Sequence, residues 1–262
     1  MSVTAAQGFR AAGVRAGLKA SGKPDLALVV NDGPLDTAAG VFTTNRVVAA
    51  PVVWSRRLLV GEGGGQPGHA RAVVLNSGSA NACTGAQGMH DTEATAARTA
   101  GLLSVEPDQI LVCSTGVIGE RIDMPVLLEG IDVAALALTD TPQAGTDAAT
   151  AIMTTDTVSK EDALTVGAGE QTWTIGGMIK GVGMLAPGMA TMLAVITTDA
   201  VLTPQQAQDA LASATIRTVN RINSDGCMST NDTVLLLASG ASDVTPSQDE
   251  LDEALTEVMS RL

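Results

Sequence analysis

The sequence predicts an α/β fold. Short β-branched runs alternate with alanine-rich stretches of helical character, and the last quarter repeats a strand–helix unit. Apolar residues make up 45% of the 262, ample for a large core, yet aromatics are only 2% and tyrosine is absent. The interior must therefore be built from Ala, Val, Leu, Ile and Met.

In chain order, Leu26–Val30 and Gly40–Thr44 read as strands, because each is a short apolar or β-branched run bounded by turn residues. Residues 61–68, with five glycines and a proline, read as a surface loop or hairpin tip. Ala72–Asn76 is a third strand. Asp91–Leu103 reads as a helix, Ile110–Ser114 as a strand, and Pro125–Leu138 as a helix that opens with proline in its first turn. The final quarter holds the run Thr191–Thr198, then Thr203-Pro204 and a helical stretch to about Val219. It is followed by the run Thr233–Ser239, then Thr245-Pro246 and a helical stretch to the end. In both copies Thr is placed to cap the helix and Pro to occupy its first position. Two such units in succession predict strands of one sheet covered by helices on a face.

Charge and rare residues exclude several classes of function. The net charge of −13 and the shortage of aromatic side chains argue against a nucleic-acid binder, which needs cations for phosphates and rings for bases. Cys83, Cys113 and Cys227 are odd in number and widely spaced, which suits a reducing compartment and suggests neither a disulfide framework nor a zinc site. His69 and His90, the two histidines, sit in glycine-rich, loop-like surroundings without ligand spacing, so no metal is expected and Ser-His-Asp chemistry is disfavoured. The first 24 residues carry Arg10, Arg15, Lys19 and Lys23 and no acid, but Gly8, Gly13, Gly17 and Gly22 oppose the amphipathic helix of a transit peptide. The longest apolar stretch, Gly183 to Ile196, is shorter than a membrane span and broken by Pro187. A cytoplasmic protein, with no membrane or nucleic-acid partner, is expected.

The most unusual segment runs from Gly176 to Leu193. Five glycines surround Lys180 and give way to a strand that begins at Thr191. It reads as a flexible, closely approaching backbone around one cation, since glycine tolerates conformations that other residues resist. An ordinary loop is the alternative. A phosphate cradle is another, but neither G-x-x-x-x-G-K-[ST] nor G-x-G-x-x-G is present.

The run Lys180-Gly181-x-Gly183-Met184-x-Ala186-Pro187-x-x-Ala190-Thr191-Met192-Leu193 resembles the self-cleavage signature of the glutamate/ornithine N-acetyltransferase family. Further segments resemble the same family in the same order. They are Gly17-Leu18-Lys19 with Asp25–Leu28, Ala39–Thr43 with Asn45, Asn76–Cys83, Ser114–Gly119, Ile152–Asp156 and Ser229–Thr233. Seven matches in register span the chain from near residue 8 to its end.

The resemblance implies a layered α/β/β/α fold and autoproteolysis between Ala190 and Thr191. That cut gives an alpha segment, 1–190, and a beta segment, 191–262, which stay associated, in an expected heterotetramer of two alpha and two beta pieces. It also implies that Thr191 is the nucleophile. The Thr191 hydroxyl attacks the Ala190 carbonyl, and hydrolysis of the resulting ester frees an α-amine whose reference pKa near 8 suits a general base. Thr115 and Gly116 are implied as the oxyanion hole, and Thr154, Lys180 and Thr191 as substrate-binding residues. Lys180 suits a substrate α-carboxylate as a point charge. The implied reaction, a step of arginine biosynthesis, moves acetyl from N2-acetylornithine to glutamate. No cofactor is implied, although acetyl-coenzyme A serves some relatives as a co-substrate. The alternatives are a self-processing amidase or aminopeptidase with an N-terminal nucleophile, and a non-catalytic truncated product. One departure stands out. Family members are longer, and the region past residue 262 supplies a glutamate and chain-terminal polar residues to their substrate site. The chain is therefore expected to be a fragment or to be completed by another chain, with no evident partner for the far edge of its last two strands.

Overall fold

The computed structural model describes residues 2–62, 66–169, 171–183 and 192–262. The strands are β1 (Phe9–Val14), β2 (Leu26–Asn31), β3 (Thr37–Phe42), β4 (Ala72–Ser79), β5 (Ile110–Val117), β6 (Lys160–Ala168), β7 (Gln171–Lys180), β8 (Leu193–Thr198) and β9 (Thr233–Ala238). The helices are α1 (Ala50–Leu59), α2 (Gly85–Leu103), α3 (Met124–Leu136), α4 (Pro142–Ala151), α5 (Pro204–Arg217) and α6 (Gln248–Arg261). One sheet has the order β1-β2-β4-β5 and the other β3-β9-β8-β7-β6. In each sheet one neighbouring pair is parallel, β4 with β5 and β8 with β9, and a helix, α2 or α5, makes the crossover.

The layers follow from which faces are apolar. Along the second sheet, Met178, Leu193, Val195, Leu235 and Leu237 join the core shared with the first sheet. Their alternates Ile179, Ala194, Ile196, Val234 and Leu236 pack with α5 and α6. Successive strand residues point to opposite faces, so β8 and β9, buried on both, read as unbroken apolar runs. Helices α2 and α3 cover the first sheet. The result is the layered α/β/β/α arrangement. Helix α1 seals the edge of β5: Trp54 Nε1 donates to the Ile110 carbonyl at 2.9 Å, and the Ser55 hydroxyl donates to the Val112 carbonyl and accepts from its N–H.

Several expectations shift. The strand expected at Gly40–Thr44 starts three residues earlier and ends two earlier, and Thr43 has left the ladder to donate its hydroxyl to the Ser229 carbonyl. Helix α2 begins six residues before Asp91. Its glycine-rich first turns have poor propensity, and Asn81 and Thr92, which both bond the Gly88 carbonyl, hold them instead. His90 is thus helical, not in a loop. Residues 176–180 are not flexible backbone; they close strand β7. Their glycines serve close approach, since a Cβ on Gly176 would lie 2.3 Å from the Ser2 carbonyl oxygen. The expectation that the last two strands lack a partner fails outright. β8 and β9 are the interior of their sheet, with β7 on one side and β3 on the other.

The final helix is capped by Ser247 rather than Thr245. The Ser247 hydroxyl accepts from the Glu250 N–H while the Glu250 carboxylate accepts from the Ser247 N–H, a closed capping box. Thr245 is exposed. Ser247→Ala should therefore cost about 1 kcal/mol of stability in urea unfolding, and Thr245→Ala should leave the curve in place.

Candidate active site

Parallel pairs deliver chain ends to one end of the two-sheet sandwich. Strands β4 and β5 run together so that Asn76, Ser77 and Gly78 lie beside Ser114, Thr115 and Gly116. Gly78 and Gly116 have φ of 120° and 137°, a region open mainly to glycine, and a Cβ on Gly116 would lie 2.3 Å from the Gly78 carbonyl carbon. The glycine at 116 is thus required by the backbone. Thr115 is buried, whereas Gly116 is exposed.

Lys180 ends β7 in the second sheet and is 1% exposed. Its ammonium donates to the Thr154 hydroxyl at 3.0 Å. Burial pulls its pKa down to about 8, against the opposing pull of Asp156 and Asp232. Asp156 organises the same corner. Its Oδ1 accepts from Lys160 Nζ at 2.6 Å and from the Gly181 N–H at 2.8 Å, and its Oδ2 accepts from the Thr154 N–H at 3.3 Å. Burial alone would raise the Asp156 carboxyl, but the Lys160 ammonium and the two N–H donors outweigh it and hold the pKa below its ordinary 3.8.

Thr115, Gly116, Thr154 and Lys180, four of the residues expected at the site, line one cavity of about 740 Å³. Gly78, Lys19 and Glu120 line it too. The loop that carries Lys19 is shaped by fully buried Asp25, whose carboxylate accepts the N–H groups of Ala16, Gly17 and Lys19. Ala190 and Thr191, the expected cleavage site and nucleophile, lie outside the described residues. Their next neighbour, Met192, is described. Its N–H donates to Asp232 Oδ1 at 3.0 Å, and its carbonyl accepts from the Thr233 N–H at 3.0 Å.

Two residues that sequence reasoning gave no role are central here. Asn231 donates to the Ser114 carbonyl at 2.8 Å and the Ala80 carbonyl at 2.6 Å. Asp232 is fully buried, and burial pushes its carboxyl up to about 7. Both lie in the Ser229–Thr233 match, but these bonds reach Met192, Ser114 and Ala80, 40 to 151 residues away, which no local pattern reveals.

Residues 10–262 match the ArgJ family. The chain belongs to that family. It is 57% identical to the arginine biosynthesis bifunctional protein ArgJ of Bifidobacterium longum and 55% to that of Streptomyces avermitilis. Each alignment covers 100% of this chain but 65% of the relative, so the chain spans about two thirds of these relatives' length. Among solved structures it resembles the ornithine acetyltransferase of Mycobacterium tuberculosis complexed with ornithine, at 49% identity and a TM-score of 0.66. That match covers 73% of this chain and 96% of the other. A likeness in fold alone reaches an aminopeptidase of Ochrobactrum anthropi, described as a variant of the Ntn-hydrolase fold, at 13% identity and a TM-score of 0.59. There the coverage is 99% of this chain and 85% of the other.

Replacing Asp156 by Ala strips acceptors from the Gly181 and Thr154 N–H groups and leaves Lys160 without its counter-ion. A stability loss of about 2–3 kcal/mol in urea unfolding near neutral pH is expected. The Asp156 contribution is present above pH 3.8 and fades as pH falls through its depressed folded-state value, so wild type and variant should converge in acid.

Proposed function

We propose that this chain carries the acetyl-transfer site of an ornithine acetyltransferase, activated by its own cleavage between Ala190 and Thr191. The observation that carries the reading is the meeting of Thr115, Gly116, Thr154 and Lys180, widely separated in sequence, around one cavity in a chain of the ArgJ family. The coverage of the Mycobacterium tuberculosis structure supports the cut. It is 96% matched yet accounts for only 73% of this chain, the share expected of a polypeptide that stops near the equivalent of residue 190.

In this reading the Thr191 Oγ bonds to the Ala190 carbonyl carbon, the carbon–nitrogen bond breaks, and the Thr191 nitrogen leaves as an amine. Water then hydrolyses the ester. Ala190 becomes a carboxylate, and Thr191 keeps a free hydroxyl and a free α-amine. The amine accepts the hydroxyl proton as Oγ attacks the acetyl carbonyl of N2-acetylornithine. The Thr115 hydroxyl and the Gly116 N–H donate to the resulting oxyanion, each contributing about 3–4 kcal/mol of transition-state stabilisation. Ornithine departs with the proton and acetyl-Thr191 remains. The amine of glutamate then bonds to the acetyl carbon, the ester bond to Oγ breaks, and the proton lost by that amine passes through the Thr191 α-amine to Oγ, giving N-acetylglutamate and the free hydroxyl. Lys180 holds the substrate α-carboxylate and Thr154 hydrogen-bonds the amide. The two segments work as associated alpha and beta pieces, paired again into a heterotetramer, in the cytoplasm. Acetyl-coenzyme A is a further donor to assay.

Three outcomes follow. Purified protein should run as two pieces near residues 1–190 and 191–262, and Thr191→Ala should run as one. Release of ornithine from N2-acetylornithine should depend on glutamate; acetate release without glutamate would instead mark a hydrolase. Thr115→Ala should lower kcat by about 10²–10³-fold with little change in KM, and an equal effect on both would remove Thr115 from the oxyanion hole.

The pH dependence has a definite sign. Lys180 is a cation below about pH 8 and loses its proton above it, so affinity for N2-acetylornithine should fall as pH rises through about 8. Lys180→Met should flatten that fall in a calorimetric titration.

A further inference from the structure

Residues 231 and 232 are consecutive, and their side chains go to different sheets. Asn231, 4% exposed, spends both amide protons on the first sheet side, at the Ser114 and Ala80 carbonyls, while its Oδ1 accepts from the Thr230 hydroxyl. Ser114 precedes Thr115 and Gly116 in β5. Asp232, 0% exposed, accepts the Met192 N–H, and Met192 is bonded directly to Thr191. The backbone is pinned on both sides as well: the Thr43 N–H donates to the Asp232 carbonyl at 2.9 Å, and the Thr233 N–H to the Met192 carbonyl at 3.0 Å. Consecutive Cα atoms are about 3.8 Å apart, so the two anchorages have almost no slack between them.

We propose that Asn231 and Asp232 form a positioning clamp that sets the register between the oxyanion strand β5 and the chain immediately after Thr191. The inference rests on the acetyl-transfer reading above. Neither residue lines the substrate cavity. The clamp therefore acts on the reacting geometry and not on ground-state binding. A misplacement of about 1 Å between nucleophile and oxyanion donors can cost about 10²-fold in rate. A tie that served stability alone would alter the melting temperature and leave the turnover of folded protein unchanged.

The test uses the full chain and compares wild type with Asp232→Leu, Asp232→Asn and Asn231→Ala, each assayed well below its melting temperature. The assay pH is set about two units below the Lys180 value of about 8, where Asp232, at about 7, is largely neutral already and Lys180 stays charged in every variant. Asp232→Leu removes the acceptor for the Met192 N–H, and Asn231→Ala removes both bonds to the first sheet. Each should slow self-cleavage and lower kcat for acetyl transfer by about 10²-fold, with KM for N2-acetylornithine within about twofold of wild type. Asp232→Asn keeps a neutral acceptor of the same shape and should recover most of the loss, ending about three- to tenfold below wild type. If the leucine variant does not fold, the asparagine variant decides alone, because it too must lower kcat at constant KM. Variants as fast as wild type, or a KM that rises in step with the loss of kcat, would overturn the clamp alone. An inactive, uncut wild-type chain would overturn the acetyl-transfer reading and the clamp with it.

Discussion

The two sheets of this protein meet through apolar side chains, many of them alanine, and such contacts are non-directional. They hold layers together without fixing where one layer stops along the other. Directional bonds at residues 229–233 do that. Thr43 reaches the Ser229 carbonyl, Asn231 reaches Ser114 and Ala80, and Asp232 reaches Met192. The end of β5 and the start of β8 are thereby tied to one short piece of backbone. The geometry of the cavity between them depends on that tie.

The electrostatics of the site point the same way. Lys180 is a buried cation whose nearest bond is to a neutral hydroxyl, and Asp156, the closest organising carboxylate, is committed to Lys160 and two N–H groups. A buried cation whose pKa burial pulls down, as at Lys180, is costly in the empty protein and favourable once an anion arrives. The acidic balance of the whole chain, −13, makes a retained buried cation more telling than it would be in a basic protein.

Much of the fold was legible in the sequence, for reasons that vary by element. The strands β2, β4, β8 and β9 are interior and apolar, and edge strand β5 is buried over its first six residues, so their runs stand out. Edge strand β6 carries Lys160, Glu161 and Asp162 and shows no buried face, which hid the β6–β7 hairpin. Helix α4 gives a weak signal because Gly145 and two threonines, Thr146 and Thr150, lower its propensity, although Thr141-Pro142 gives the same opening signal as Thr203-Pro204. At the site, Thr115, Gly116, Thr154 and Lys180 were found through family resemblance, and the cavity unites them. Asp156, Asn231 and Asp232 sat inside the same matched segments, yet their work lies in contacts between distant strands. Spacing along the chain does not encode such contacts.

The order β3-β9-β8-β7-β6 has a consequence for how the molecule must be made. Its two middle strands come from the last 70 residues and its flanking strands from the first 180, so each portion lacks what would complete its ladder. Translated separately, the portions would meet only by diffusion, each exposing bare strand edges prone to clumping. Joined in one polypeptide, they assemble at high effective concentration, and a later nick would leave a noncovalent pair held by backbone bonds along both seams. The architecture thus favours making both portions as one polypeptide.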